Sequence, residues 1–259
     1  MKKLFFLTII ALIVQAGFMD TLNNLAKDYT SNKSVTNSTN EEQSAIKQAL
    51  KIGVKKAVTT LGKKDGFLKN PLVKIGVPKN LQIVAKTLRK VGMGKYVDEF
   101  ELSMNRAAEE AVPETASILV DTIKNLKVQE AKRLITSSDQ YAITNYFKTH
   151  AGKKLAQKIA PIIKKHMENE NVTKYYATMM EYYNKHVGNF TNNAYAKTAL
   201  GALGMSAPGE VKEKDLSSYV TNRTLEGLYT MIAQQEKNIR TNPLARSTKL
   251  LQKVFGDPK

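Results

Sequence analysis

The 259-residue sequence predicts an all-α fold: a single-domain bundle of about eight helices with a kinked central helix, preceded by a signal peptide and a flexible leader. Three observations lead there. Apolar residues recur at steps of three and four through most of the chain, the spacing of one helical face. No stretch alternates as a half-buried strand would, and no internal repeat is evident. Gly62, Gly92-Met-Gly94 and Gly256 close periodic stretches, as helix stops do.

Residues 1–16 have the pattern of a secretory signal. Lys2 and Lys3 precede an apolar run from Leu4 to Val14, and Val14-Gln15-Ala16 offers small residues for cleavage before Gly17. A helix needs about 20 apolar residues to cross a bilayer, so the run is too short for a comfortable span, although an uncleaved anchor is the rival reading. The chain has no cysteine, which excludes a lipidated N-terminal Cys, disulfides and thiol chemistry. A soluble, periplasmic protein is therefore expected, with no transmembrane span after processing. Residues 17–40 form the leader, and Asp28 to Asn40 is almost entirely Ser, Thr, Asn and Lys, a composition that buries little.

The helical domain is expected over 41–259. Asn40 and Gln43 resemble a capping box, and Ile46, Leu50, Val54, Ala57, Val58 and Leu61 mark the first apolar face, ended by Gly62. The breaker-rich stretch Lys63 to Pro78 reads as a structured loop that tucks Phe67 and Ile75 inward. Leu81, Val84, Ala85, Leu88 and Val91 form the next amphipathic helix, stopped at Gly92-Met-Gly94.

The central helix carries Val97, Phe100, Met104, Ala108 and Ala111 on one face, and Ala107, Ala108 and Ala111 thin one side for close packing. Pro113 should kink it before Ile118, Leu119, Ile123 and Leu126 continue. A short helix follows over Val128 to Ile135. Ser138 or Asp139 should cap the next, which carries Ile143, Tyr146 and Phe147, then Leu155, Ile159, Ile162, Ile163 and Met167, with a second kink at Pro161. From Val172 to Val187 the pattern turns aromatic, and Tyr175, Tyr176, Met179, Met180 and Tyr183 could be plain core or an exposed apolar groove. Gly188 to Lys214 is small-residue rich and broken by Pro208. Asp215 should cap a long helix through Tyr219, Val220, Leu225, Leu228, Ile232 and Ile239, and Asn242-Pro243 should start a last one ending at Gly256.

Several of these motifs, taken in order, resemble a bacterial family catalogued as domain of unknown function 4197. They are the Asp65-Gly-Phe67 turn, Met104-Asn-Arg-Ala-Ala-Glu109 with Ala-Val-Pro113, Thr144-Asn-Tyr-Phe147, Asp215-Leu-Ser-Ser-Tyr-Val-Thr221, and Glu236-Lys-Asn-Ile-Arg240 running on to Arg246 and Lys253-Val-Phe-Gly256. The likeness spans about residues 41 to 256. It implies an exported helical protein and supplies no activity.

Charge limits the partners. The formal net charge is +17, unevenly spread: residues 43–97 hold twelve lysines and Arg89 against Asp65 alone, residues 98–130 are net −5, and residues 131–259 are net +10. Solvated lysine faces would explain this, as would basic flanks that wrap an acidic helix and offer their surplus to an anionic partner. In an envelope compartment that partner would be anionic lipid, lipopolysaccharide or wall polymer, or another envelope protein. Lysine outnumbers arginine 34 to 6, which disfavours nucleic acid, where bidentate recognition calls for arginine.

Motifs for chemistry are sparse. His150, His166 and His186 lack metal-ligand spacing, so no metal is expected, and nothing calls for a cofactor. Gly201-Ala-Leu-Gly204 lacks the lysine and hydroxyl of a phosphate loop. Glu109 and Glu110 point about 100° apart on a helix and make a poor acid–base pair. The candidate polar cluster is Asn105, Arg106 and Glu109 together with Arg240 and Arg246: Arg106 can reach Glu109 or Glu110, Glu236 can pair with Arg240 one turn away, and Arg240 or Arg246 is expected to reach Glu109. That arrangement would be an internal ion-pair lock or a pocket for an anionic ligand. The sequence thus points to a non-catalytic binding or interaction module for an anionic or amphipathic envelope component. The alternative is an enzyme of unknown reaction at Asn105, Glu109, Arg240 and Arg246.

Overall fold

The computed structural model describes residues 38–183 and 213–242, together with 185, 198, 244 and 252. Among the described residues every regular element is helical, as the three- and four-residue spacing requires. We number the α-helices α1 (Ser38–Leu61), α2 (Gln82–Lys90), α3 (Gly94–Ala111), α4 (Ala116–Lys124), α5 (Val128–Thr136), α6 (Ala142–Asn169), α7 (Val172–Tyr183) and α8 (Glu213–Thr241). None is long and apolar enough to cross a membrane.

Boundaries differ from expectation where a cap was inferred from one side chain. α1 begins at Ser38, two residues before the anticipated Asn40 cap, and α8 begins at Glu213, two before Asp215. Pro113 converts the expected kink into a tight 3-10 turn, Val112–Thr115, between α3 and α4. The Thr115 hydroxyl donates to the Val112 carbonyl at 2.7 Å and satisfies one acceptor of that turn. Pro161 lies inside α6 at an exposed position. The expected elements within 188–212 and after Pro243 lie outside the described residues.

The chain divides into two compact units interleaved in sequence. The first comprises Met1–Thr60, Val112–Leu155 and Leu228–Lys259; the second comprises Leu61–Ala111 and Ala156–Gly227. In the first, Ile46, Leu50, Val54 and Val58 of α1, Leu119 and Ile123 of α4, Phe147 and Leu155 of α6, and Leu228 and Ile232 of α8 are buried. The start of α1 also closes the end of α4. Gln43 donates to the Leu126 carbonyl at 3.0 Å and Lys47 to the Lys124 carbonyl at 2.7 Å, covering acceptors a helix end leaves open.

In the second unit α3 packs against α2 and α7. Phe100 and Met104 of α3, Leu81, Val84 and Leu88 around α2, Ile159 and Ile163 of α6, and Met179 and Tyr183 of α7 fill its core. Each large apolar side chain buried there contributes about 1.5–3 kcal/mol. Ala107, Ala108 and Ala111 are fully buried, which fits their reading as the close-packed side of the central helix. Phe67 and Ile75 are also fully buried, so the loop after α1 does tuck both inward. The α8 backbone approaches Phe67 so closely that a Cβ at Gly227 would lie 2.7 Å from its ring.

Candidate functional site

Asn105 and Glu109, one turn apart on α3, are both buried, and each is spent on the loop between α1 and α2. Asn105 pairs with Ile75 as a strand would. Its Oδ1 accepts the Ile75 N–H at 2.9 Å, and its Nδ2 donates to the Ile75 carbonyl at 2.8 Å and to the Glu101 carbonyl at 2.7 Å. Glu109 Oε1 accepts the N–H groups of Phe67 and Leu68 at 3.0 and 3.1 Å, and Oε2 takes Arg106 Nη1. Arg106 Nη2 continues to Asp65 Oδ1 at 2.7 Å, and Asp65 in turn pairs with exposed Lys69. Asp65 sits at φ 68°, a left-handed conformation that Asp tolerates better than most residues. Donation from Lys69 and Arg106 holds its carboxyl below the usual carboxylate range. Burial alone would lower the Arg106 guanidinium, but Asp65 and Glu109 outweigh it and raise it above its ordinary value.

The expectation that Arg240 docks on Glu109 is corrected by the partners each residue has. Arg240 belongs to the first unit, where its Nε and Nη2 donate to Glu236 Oε1 at 3.2 and 3.1 Å and Nη2 also donates to the Leu134 carbonyl at 2.7 Å. Glu109 instead draws its cation from three residues back on its own helix. An i,i+3 or i,i+4 arginine neutralises a buried carboxylate at less conformational cost than one from a distant helix. Arg246 lies outside the described residues.

Glu236 pairs with Arg240 one turn away, as helical spacing allows, and also holds backbone that the sequence pattern did not point to. It is 4 % exposed and sits at the start of α6, where Oε1 accepts the Ile143 N–H at 2.9 Å. Oε2 accepts the Thr144 N–H and hydroxyl at 2.9 and 2.8 Å. These amides belong to the free first turn of a helix, which favours an anion. Asp139, the expected cap, makes a turn before the helix instead: Oδ1 accepts the Tyr141 N–H at 2.8 Å and Oδ2 the Asn145 amide at 2.9 Å. The available signal for Glu236 was its i,i+4 spacing to Arg240, which identifies a neutralised acid without naming the backbone it holds.

The aromatic stretch on α7 is mostly interior. Met179 and Tyr183 are buried, Tyr176 lies 6.0 Å from Phe100 in a tilted contact, and Tyr175 and Met180 are half-buried. Tyr182 stacks on Tyr96 at 4.3 Å, and hydrogen bonding with Tyr182, then burial, pushes the Tyr96 phenol up.

The basic segment divides into paired and unpaired charge. Lys74 pairs with Glu101 at 2.9 Å, and Arg89 with Asp98 at 2.6 Å, so α3 does take up part of the surplus. The Arg89–Asp98 pair is solvent-exposed and worth about 0–1 kcal/mol, whereas Glu101 is half-buried. Lys63, Lys64, Lys79, Lys86 and Lys90 are exposed and have no acidic partner among the described residues. Spacings of seven and four bring Lys79, Lys86 and Lys90 onto one side of α2 and the turn before it. No group of His, Cys, Asp and Glu suited to a metal ion occurs among the described residues.

The model of a family described as a protein of unknown function, DUF4197, matches residues 36–256. Comparison with curated proteins and with solved structures finds no match.

Proposed function

We propose that this chain, which belongs to the DUF4197 family of proteins of unknown function, is an exported, non-catalytic module that binds an anionic component of the bacterial envelope. The observation that carries this reading is the set of exposed lysines between residues 63 and 90 without acidic partners among the described residues, above all Lys79, Lys86 and Lys90 along one helix side. Such a row attracts phosphate-bearing lipid headgroups or polymer through long-range charge, without bidentate geometry. The polar cluster on α3 adds no rival, since Asn105 and Glu109 already spend their hydrogen-bonding groups on the loop.

Co-sedimentation with phosphatidylglycerol vesicles tests the reading. Binding should be strongest at low salt, weaken as screening shortens the reach of the charges, and fall when Lys79, Lys86 and Lys90 are changed to Glu. Absence of binding at low salt, or binding indifferent to the triple change, overturns it.

A further inference from the structure

A cleft of about 350 Å3 opens within the first unit between α4 and α6, with the start of α5 as its third wall. Neither the lysines of the row nor the two buried carboxylates line it. Its size is at the lower end of small-molecule sites, which run from roughly 300 to 1,000 Å3. Tyr146, His150 and Lys154 line it from α6 at steps of four, so they stand in a row about 12 Å long. Asn125, Lys127 and Glu130 line it from the other side, together with Asp121, whose carboxylate pairs with Lys124 at 3.6 Å.

The row is ordered by charge. At one end Tyr146 stacks on His150 with ring centres 4.0 Å apart and planes 24° apart. His150 Nδ1 lies 3.0 Å from the Tyr146 carbonyl, so in the neutral ring Nδ1 carries the proton and Nε2 is left as an acceptor. Glu130 spends Oε2 on the Lys127 N–H at 3.0 Å and keeps Oε1. Burial first, and then the Glu130 charge, push the Tyr146 phenol up. At the other end Lys154 is exposed, and among the described residues no acid pairs with it.

We propose that this cleft binds a short zwitterionic peptide, its ammonium end between Glu130 and the Tyr146–His150 stack and its carboxylate end at Lys154. An ammonium suits a carboxylate oxygen, an imidazole acceptor and an aromatic face together. A carboxylate suits a lysine. An extended chain covers about 3.3–3.6 Å per residue, so three residues, about 10–11 Å, match the spacing of the two ends.

Calorimetric titration of the full chain with triglycine, N-acetyl-triglycine and triglycine amide tests the proposal. Triglycine should bind saturably, and each blocked peptide at least tenfold more weakly. Glu130→Gln should weaken triglycine by a similar factor while leaving the melting curve in place, since the amide oxygen still accepts the Lys127 N–H. Lys154→Ala should weaken triglycine but not triglycine amide. No saturable heat up to about 10 mM triglycine, the edge of millimolar affinity, overturns the proposal. So does equal binding of the N-acetylated peptide, which would mark a site for anions alone. The blocked peptides are titrated into the wild-type protein, so the proposal stands or falls without any variant having to fold.

Discussion

Each unit buries one glutamate beside a helical arginine and aims it at two consecutive backbone amides, yet the two carboxylates hold different things. In the second unit Glu109 grips Phe67 and Leu68 and fixes a loop, and Arg106 passes on to Asp65, a side chain. In the first unit Glu236 grips Ile143 and Thr144 and caps a helix, and Arg240 passes on to Leu134, a carbonyl at the far end of α5. The arrangement in the first unit answers both helix ends with charge of the fitting sign, anion at the start of α6 and cation at the end of α5. That in the second replaces secondary structure over a stretch that has none. A buried Glu–Arg pair one turn apart is thus a general connector, and the neighbouring backbone decides whether it ties a loop or joins helices.

The connector predicts unequal losses. Glu236→Ala takes the acceptor from two first-turn amides and a threonine hydroxyl, and the carboxylate from Arg240, which keeps the Leu134 carbonyl; this should cost about 3–5 kcal/mol in urea unfolding. Glu109→Ala also strands two amides, but Arg106 keeps Asp65, so about 1–3 kcal/mol is expected. Equal losses, or the reverse order, would break the distinction between a helix joint and a loop tie. Glu109→Gln, which keeps an acceptor for the loop amides, should recover part of its smaller loss.

Glycine gives the next contrast. A Cβ at Gly227 in the second unit would press within 2.7 Å of the buried Phe67 ring and 3.2 Å of Val73, both part of the loop that Glu109 holds. Gly227→Ala should therefore destabilise by about 1–3 kcal/mol, seen as a lower melting temperature. A Cβ at Gly53 in the first unit would meet Gln235 at 3.6 Å, an ordinary contact. Gly53→Ala in the interior of α1 should stabilise by about 0.5–1 kcal/mol. A harmless Gly227→Ala would mean that the loop yields, and that its anchoring to α3 is weaker than its hydrogen bonds imply.

Local order in the sequence made the helices legible. Ile46 through Leu61, Leu81 through Leu88 and Val97 through Ala111 repeat at helical spacing, and these are the residues that are buried. The thin alanine side of α3, the inward turn of Phe67 and Ile75, and the shielding of Asn105 and Glu109 followed from the same pattern. The pairs of Arg106 with Glu109 and of Glu236 with Arg240 followed from helical spacing, but the distant partners of these polar groups did not. The partners of Asn105 and Glu109 are backbone amides 30 and 42 positions away, and an N–H looks the same at every residue. Arginine side chains drew attention instead because they are visible as letters. The grip of Glu236 on the start of α6 escaped for the same reason: its partners at Ile143 and Thr144 are amides 93 and 92 positions distant.

The smallest effects are on pH dependence, and they separate two carboxylates of the second unit by sign. Asp65 has a folded value below the unfolded one, set by Lys69 and Arg106. Its contribution is present above the unfolded aspartate value and lost as pH falls through the lower folded value. Glu170 is opposite: burial first and the neighbouring Glu110 charge second raise its folded value. Its contribution is complete below the unfolded glutamate value and is lost as pH rises through the raised one. Asp65→Asn should therefore lower the melting temperature at pH 7 and converge on the parent in acid, whereas Glu170→Gln should raise it at pH 7 and converge likewise. Exposed Asp121 of the first unit, changed to Asn, supplies a reference on a carboxylate 67 % open to water. Melting curves between about pH 3 and 8, the range around the ordinary carboxylate values, read all three. If Glu170→Gln lowers the melting temperature at pH 7, the carboxylate is held there by a cation, and the second unit has a further ion pair in place of a strained acid.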